Sequence, residues 1–345
     1  MSATMRDVAR AAGVSVKTVS NVVNDFPHVA ATTRSRVLEA IEHLGYQMNF
    51  SARNLSLGRT GMITLAVPEL SLPYFAALSD EVIDAASERG YTVLIEQTGG
   101  QRERELEVLV SARRRMTDGL IFSPLALRGP DAPTLEVEFP VVLLGERSLH
   151  SRVPHVAMAN VDAARAVTEH LLALGRRRIA LVGTFDPQGA GAGSLRTRGF
   201  LEALTAAGLE HPPALVGPAE AWTRTTGAEA MRGLLDGGEP FDAVFALNDV
   251  LALGAMRVLY ERDVVVPDAV AVAGFDDIEE GRFARPSLTT VAPGLPQIAR
   301  TAVELLVERL TAEAGAVDGP GLEVVADFTM QPRESTLGRA PRPSP

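Results

Sequence analysis

The chain has 345 residues, 46% of them hydrophobic and 22% charged, with a formal net charge of -10. This is the composition of a soluble protein long enough for two or three domains, each with its own core. It has no cysteine, which excludes disulfides, thiolate metal sites and cysteine nucleophiles.

No apolar run approaches the ~20 residues of a membrane span. The N-terminal MSATMRDVARAAG lacks a signal peptide's apolar core, so the expected location is the cytoplasm, with no membrane partner. The charge is unevenly spread. Residues 1–58 carry six Lys/Arg (Arg6, Arg10, Lys17, Arg34, Arg36, Arg53) against four Asp/Glu (Asp7, Asp25, Glu39, Glu42), leaving a net -12 for everything after them. An acidic total therefore conceals a mildly basic N-terminal module.

In that module TMRDVARAAG predicts a helix of about eight residues, with Thr4 and Asp7 at capping-box spacing, Val8, Ala9 and Ala12 on one face, and Gly13 as its stop. Ser15 caps a second helix, VKTVSNVVN, whose Val19, Val22 and Val23 face inward. Lys17, Ser20, Asn21 and Asn24 occupy its other face. After a loop containing Pro27, TTRSRVLEAIEHLGY predicts a third helix with Val37, Ile41 and Leu44 inward and Gly45 at its end. Two short helices joined by a glycine turn and backed by a third make a helix-turn-helix. A plain three-helix bundle is the alternative. The short polar side chains around Lys17, the only lysine in a chain with 33 Lys and Arg, favour close approach to base edges and phosphates.

Residues 49–58, NFSARNLSLG, bridge to the rest. Ser51 to Leu57 can make two helical turns, which are marginal in water, so this stretch is expected to order only on a partner; a flexible linker is the alternative.

From Gly61 onward, apolar runs alternate with amphipathic segments. GMITLAVP, YTVLIEQ, DGLIFSP and PVVLLG are followed, after Val161, by RRIALVGT, FDAVFALN and VAVAGFDD, with helices between them, including one from Arg102 through Arg115. Continuous apolar strands flanked by helices imply parallel sheets covered on both faces, and their number implies two α/β subdomains. Ligands in such sheets sit beyond the carboxyl ends of strands. The polar residues there are Ser123, Glu146, Asn248, Asp249, Asp276 and Asp277, and the paired carboxylates of GFDD suit sugar hydroxyls or a cationic ligand.

Other chemistries find no constellation. QGAGAGS at 188–194 fails the dinucleotide spacing, no Walker lysine exists, no GxSxG elbow occurs, and the six histidines are not at metal-ligand spacing. No catalytic residue, metal site or cofactor is expected. The runs of three arginines at 113–115 and 176–178 read as helix ends, and the tail at 336–345 as disordered.

The segments DVARAAGVSVKTVSNVVN, TRSRVLEAIEHLGYQMN and ARNLSLGRTGMI resemble the DNA-binding headpiece and hinge of the LacI/GalR transcription regulators, continuously over about 60 residues. The remaining chain is similar to that family's periplasmic-binding-protein-like core of two doubly wound parallel-sheet subdomains. The resemblance implies a headpiece at 1–48, a hinge helix at 49–60 and an effector-binding core at 61–335. Its first subdomain would take 61–160 and 292–321, and its second 161–291 and 322–335, with crossings near 160, 291 and 322.

In that frame Ser15 caps the recognition helix, Val16 and Lys17 reach base edges, and Thr18, Ser20, Asn24, Thr33, Tyr46 and Asn49 hold phosphates. Asn21 stands where many relatives carry arginine, and Leu55 matches a minor-groove wedge. Tyr74, Phe75, Ser123, Arg196, Trp222, Asn248 and Asp276 would contact the effector. Glu146 is the candidate substitute for an aspartate common at the neighbouring Gly145. The implied partners are double-stranded operator DNA, a sugar-like small molecule and a second copy of the chain, in a ligand-responsive regulator that represses by family default. A transport sugar-binding protein and a sugar- or nucleotide-modifying α/β enzyme are the competing classes. The first would need an export signal and no headpiece, the second a catalytic constellation.

Overall fold

The computed structural model describes residues 3–23, 26–46, 59–110, 116–135, 137, 139–146, 152–311 and 321–338. The chain divides into two compact units, Met1–Thr60 and Gly61–Pro345.

The first unit has three helices, α1 (Met5–Ala12), α2 (Val16–Val23) and α3 (Ala31–Leu44). Local chemistry sets their ends. Thr4 and Asp7 close a reciprocal capping box, the Thr4 side chain accepting from Asp7 N and Asp7 Oδ2 accepting from Thr4 N at 3.0 Å. Gly13 and Gly45 end α1 and α3 in the left-handed region at φ 64° and 57°, where a Cβ would be strained. Val8, Ala9, Ala12, Val19, Val22, Val37 and Ala40 form a small core. The two glycine stops and the Ser15 cap thus fix α2 against α1 and α3 over a small, mainly aliphatic core.

The second unit is an α/β core. Its first part runs β1 (Met62–Val67), α4 (Pro73–Glu88), β2 (Thr92–Gln97), α5 (Arg102–Val110), β3 (Gly119–Phe122), β4 (Val141–Leu144) and β5 (His155–Met158). The second runs α6 (Asn160–Ala173), β6 (Ile179–Gly183), α7 (Ala192–Ala206), β7 (Val216–Pro218), α8 (Arg224–Gly237), β8 (Ala243–Ala246), α9 (Asp249–Glu261), β9 (Ala271–Ala273) and α10 (Glu279–Phe283). After β10 (Thr290–Ala292) come α11 (Leu295–Thr311), β11 (Glu323–Ala326), β12 (Thr329–Gln331) and α12 (Glu334–Leu337).

Two parallel sheets result, one ordered β11-β5-β4-β3-β1-β2 and the other β7-β6-β8-β9, while β10 and β12 pair antiparallel in a separate two-stranded sheet. Strands β3, β4, β5, β6 and β8 are buried at every residue, as expected of strands covered on both faces.

Two boundaries differ from the sequence reading. The third crossing falls after Ala326, not at 322. The apolar VVA of β11 pairs with β5, Glu323 opposite His155, so the first subdomain keeps these residues. The strands β5, β7 and β10 to β12, each three or four residues long, carry too little pattern to be seen in advance. The expected disordered tail begins too early at 336. Thr336 is buried in α12 with its hydroxyl 2.7 Å from Thr289 Oγ1 and 2.9 Å from His170 Nε2, and only residues from 339 onward fall outside the described ones. The last five residues of the helix expected through Arg115 also lie outside them.

Candidate DNA-binding face and effector cleft

In the first unit, Ser15 Oγ accepts the Thr18 backbone N–H at 3.0 Å and lies 2.8 Å from Thr18 Oγ1. This satisfies an orphan donor at the start of α2 and fixes its first turn. With Val19 and Val22 buried, helical periodicity puts Lys17, Ser20 and Asn21 on the opposite stripe. Val16 is 42% exposed and Lys17 is exposed, while Thr18, Ser20, Asn21, Thr33 and Tyr46 are half-buried. A cation and a branched methyl group at the N-terminal end of a short, capped helix is a geometry that fits a major groove. Arg34 donates to Phe26 O at 2.9 Å and so ties α3 to the loop after α2. Asn24, Asn49 and Leu55 lie outside the described residues.

In the second unit one strand-end carboxylate, Asp276, meets a buried guanidinium. Arg196, in the first turns of α7, is 2% exposed. Its Nε donates to Asn160 Oδ1 at 2.7 Å, Nη1 to Leu247 O at 2.5 Å, and Nη2 to Asp276 Oδ1 at 3.3 Å. Its Cζ lies 3.6 Å from the ring centroid of Phe275 and 5.4 Å from that of Trp222, so the charge is held between aromatic faces. Trp222 is half-buried just before α8. A Cβ on Gly193 would come within 3.2 Å of its Cζ2, so the glycine leaves the indole its place.

Asp276 follows β9 with φ at 113°, and Asp277 follows at 53°. The first value is outside the usual regions for a side-chain-bearing residue. Such backbone costs about 1–3 kcal/mol and persists where surrounding bonds over-determine it. Burial raises the Asp276 carboxyl to about 6; Arg196 pulls against this and Glu146 adds to it. Tyr74, at the start of α4, has its hydroxyl pushed well above the ordinary phenol range by burial, then by Glu146 and Asp276, with Arg196 opposing. Tyr74, Glu146, Arg196 and Asp276 therefore share one electrostatic environment although they come from both subdomains.

The other expected residues divide. Ser123 is buried after β3, next to Gly145, whose Cβ would sit 3.8 Å from Ser123 Oγ. Phe75 belongs to the apolar core and meets Tyr74 edge-on, centroids 5.0 Å apart, so it packs beside Tyr74 from the core side. Asn248 caps α9, its Oδ1 accepting from Leu251 N at 2.8 Å, which commits that oxygen to the helix. The paired-carboxylate reading of GFDD fails at its second member. Asp277 is taken by Arg282 at 2.7 Å and by Arg333.

Three contributors were not anticipated. Asn160 orients Arg196, and its own buried Nδ2 has no hydrogen-bond partner among the described residues. Phe275, in the turn after β9, lies against the guanidinium with no local pattern to mark it. Glu105 is fully buried and accepts from the backbone N–H groups of Leu125, Ala126 and Leu127 at 2.7 to 3.1 Å, which fixes the loop beyond Ser123. A carboxylate on a helix was legible as a polar residue, but only the fold shows what it clamps. Among the described residues no group of His, Asp and Glu could hold a metal ion, and no helix is long and apolar enough to cross a membrane.

Comparison with known proteins gives these two regions a common context. Residues 4–49 match the family of bacterial regulatory proteins of the lacI type, and residues 168–336 match a periplasmic binding protein-like domain. The chain is 34% identical over 335 residues to the ribose operon repressor of Halalkalibacterium halodurans, covering 97% of each. Its fold is similar to that of the transcriptional regulator CelR in complex with cellobiose, at TM-score 0.70 and 32% identity, covering 96% of this chain and 99% of that one. It is likewise similar to the lac repressor dimer bound to operator and the anti-inducer ONPF, at TM-score 0.83 and 27% identity, covering 98% and 100%. The chain belongs to the LacI family of bacterial regulatory proteins and is a DNA-binding transcriptional regulator.

Proposed function

We propose that this regulator represses transcription as a homodimer on a pseudo-palindromic double-stranded operator, and that an unphosphorylated sugar bound between the core subdomains sets its DNA affinity. The observation that carries the effector half is the convergence of Arg196, Asp276, Glu146 and Tyr74 beside Trp222. Carboxylates accept sugar hydroxyls, a fixed guanidinium donates to them, and an indole face covers the apolar side of a pyranose ring. The CelR complex with cellobiose and the lac repressor dimer on its operator support the same division of labour. Ser123, Phe75 and Asn248 back or rim this site. The protein acts in the cytoplasm, without catalytic turnover.

On DNA, Ser15 presents α2, Val16 and Lys17 read base edges, Asn21 stands beside them, and Thr18, Ser20, Asn24, Thr33, Tyr46 and Asn49 hold the backbone, with Leu55 as the minor-groove wedge. Lys17→Ala is expected to weaken the cognate site by about 1–3 kcal/mol and to relax selectivity at one base pair, measured by binding to single-base operator variants. Equal weakening on every sequence would make Lys17 a phosphate contact.

Effector affinity should follow the Asp276 carboxyl. Because its value is raised to about 6, it accepts hydroxyls as a carboxylate above that pH and loses this ability below it. Calorimetric titration with the effector sugar between pH 5 and 8 should show constant affinity in the upper range and a fall of about tenfold per unit below pH 6.

The function itself is tested by selecting DNA from a random pool with the intact chain and screening mono- and disaccharides for thermal stabilisation. Enrichment of an inverted repeat, with stabilisation by a neutral sugar that Asp276→Asn abolishes, is the expected result. Enrichment of no sequence, or stabilisation indifferent to Asp276, would contradict it.

A further inference from the structure

Asp249, the first residue of α9, is fully buried and has no part in the effector contacts above. Its Oδ1 lies 2.6 Å from Thr290 Oγ1 on β10, and its Oδ2 accepts the Ile278 N–H at 3.0 Å. Its backbone N–H donates to Phe275 O at 2.7 Å. A Cβ on Gly274 would fall 2.2 Å from Asp249 Oδ1, so the carboxyl occupies the space directly over the end of β9. The same turn is also bonded directly to Thr289 and β10, three times in all. Gly274 N donates to Thr289 O at 2.9 Å, Asp276 N to Val291 O at 2.9 Å, and Asp277 N to Thr290 Oγ1 at 3.3 Å. Residues 274–278, which hold Asp276 at its unusual φ, are thus clamped between the start of α9 and the strand that leads back to the first subdomain.

We propose that Asp249 is a positioning residue of the effector site, whose carboxyl ties the Asp276 turn to the crossing strand through Thr290. The tie works as a neutral acid. The charged groups facing it are Asp276, which is bonded to Arg196, and Asp277, which is paired with Arg282 and Arg333. Among the described residues no cation pairs with Asp249 itself. Burial first, then the Asp276 charge, raises its carboxyl well above the ordinary range, against the bonds from Thr290 and Ile278. Removing a carboxylate from water with no counter-ion is unfavourable, whereas a carboxylic acid that accepts the Ile278 N–H on Oδ2 and gives its proton from Oδ1 to the Thr290 hydroxyl oxygen 2.6 Å away is not. A change at Asp276 then reaches β10 through the hydroxyl of Thr290, a physical link between ligand site and subdomain crossing.

The inference rests on Asp276 being an effector contact, but its test needs no effector. Trp222 is the only tryptophan, and its ring lies 5.4 Å from the guanidinium bonded to Asp276. Emission of the intact chain is followed against pH, with a urea midpoint for each variant to establish folding. The parent should show a transition near pH 6 that Asp276→Asn removes. Asp249→Asn, a neutral isostere that keeps both contacts, should leave the midpoint in place. Asp249→Leu and Thr290→Val cut the tie, admit water to the turn and should lower the midpoint by about one unit, which Thr290→Ser restores. The idea is overturned by a midpoint that falls in Asp249→Asn, which would show a charged Asp249. It is equally overturned by one unmoved in both Asp249→Leu and Thr290→Val, or by no transition that depends on Asp276. Should Asp249→Leu not fold, the Thr290 pair decides alone. If Asp276→Asn leaves sugar binding intact while these shifts appear, the effector reading fails and the tie stands.

Discussion

Replacing Arg196 with leucine is expected to eliminate the effector response and to lower core stability by about 3–5 kcal/mol, the usual result of breaking a buried charged pair from one side. The guanidinium is the common partner of Asn160, Leu247 and Asp276. Without it, a buried amide oxygen and a buried carbonyl lose their donor, each at about 1–3 kcal/mol, while the Asp276 carboxyl can escape part of its own cost by taking up a proton. A domain of ordinary stability has about 5–15 kcal/mol in total, so the variant should fold, with a clearly lower urea midpoint. Arg196→Lys keeps the charge but cannot reproduce three directed bonds, and should recover only part of the loss. An Arg196→Leu protein with the parent's urea midpoint would show that this network does not organise the site.

The second large effect is expected at a helix crossing. A Cβ on Gly254 in α9 would lie 2.1 Å from Arg224 O and 2.9 Å from Ala228 N, and one on Gly227 in α8 would lie 2.4 Å from Leu251 O. The two helices therefore meet backbone to backbone at a pair of glycines, and no rotamer change can relieve an added methyl group there. Gly254→Ala should destabilise the core by about 3 kcal/mol or more, although alanine gains about 1 kcal/mol over glycine in a helix interior. Gly233 supplies the control. It is exposed on α8 with no described residue within 4 Å of its would-be Cβ, so Gly233→Ala should stabilise by up to about 1 kcal/mol. Thermal or urea unfolding of both variants checks the pair. Equal effects of the same sign at the two positions would remove close approach as the cause.

What the sequence reveals here depends on how local the cause is. Thr4 with Asp7, Gly13, Ser15 and Gly45 act within a few residues of themselves, and each acts in the structure as its local pattern implies. The long apolar strands were legible for the same reason. By contrast β11 is defined by pairing with β5, more than 160 residues away in the chain, and nothing in its four residues states that partner. The site shows the same contrast. Asp276 and Glu146 stand out as charges closing apolar strands, whereas Asn160 acquires its role by meeting Arg196 from 36 residues away. Asp276 and Asp277 look equivalent in sequence. The strained turn sends one to Arg196 and the other to Arg282 and Arg333, so only the first remains for a ligand.

Control of DNA affinity from the Asp276 cleft is most directly tested by fluorescence anisotropy on the selected inverted repeat, with and without saturating sugar, for the parent and for Asp276→Asn. A coupling of about 5–150-fold in the parent, of either sign and absent in the variant, is the expected result. Identical operator affinity of the parent in both ligand states would contradict it.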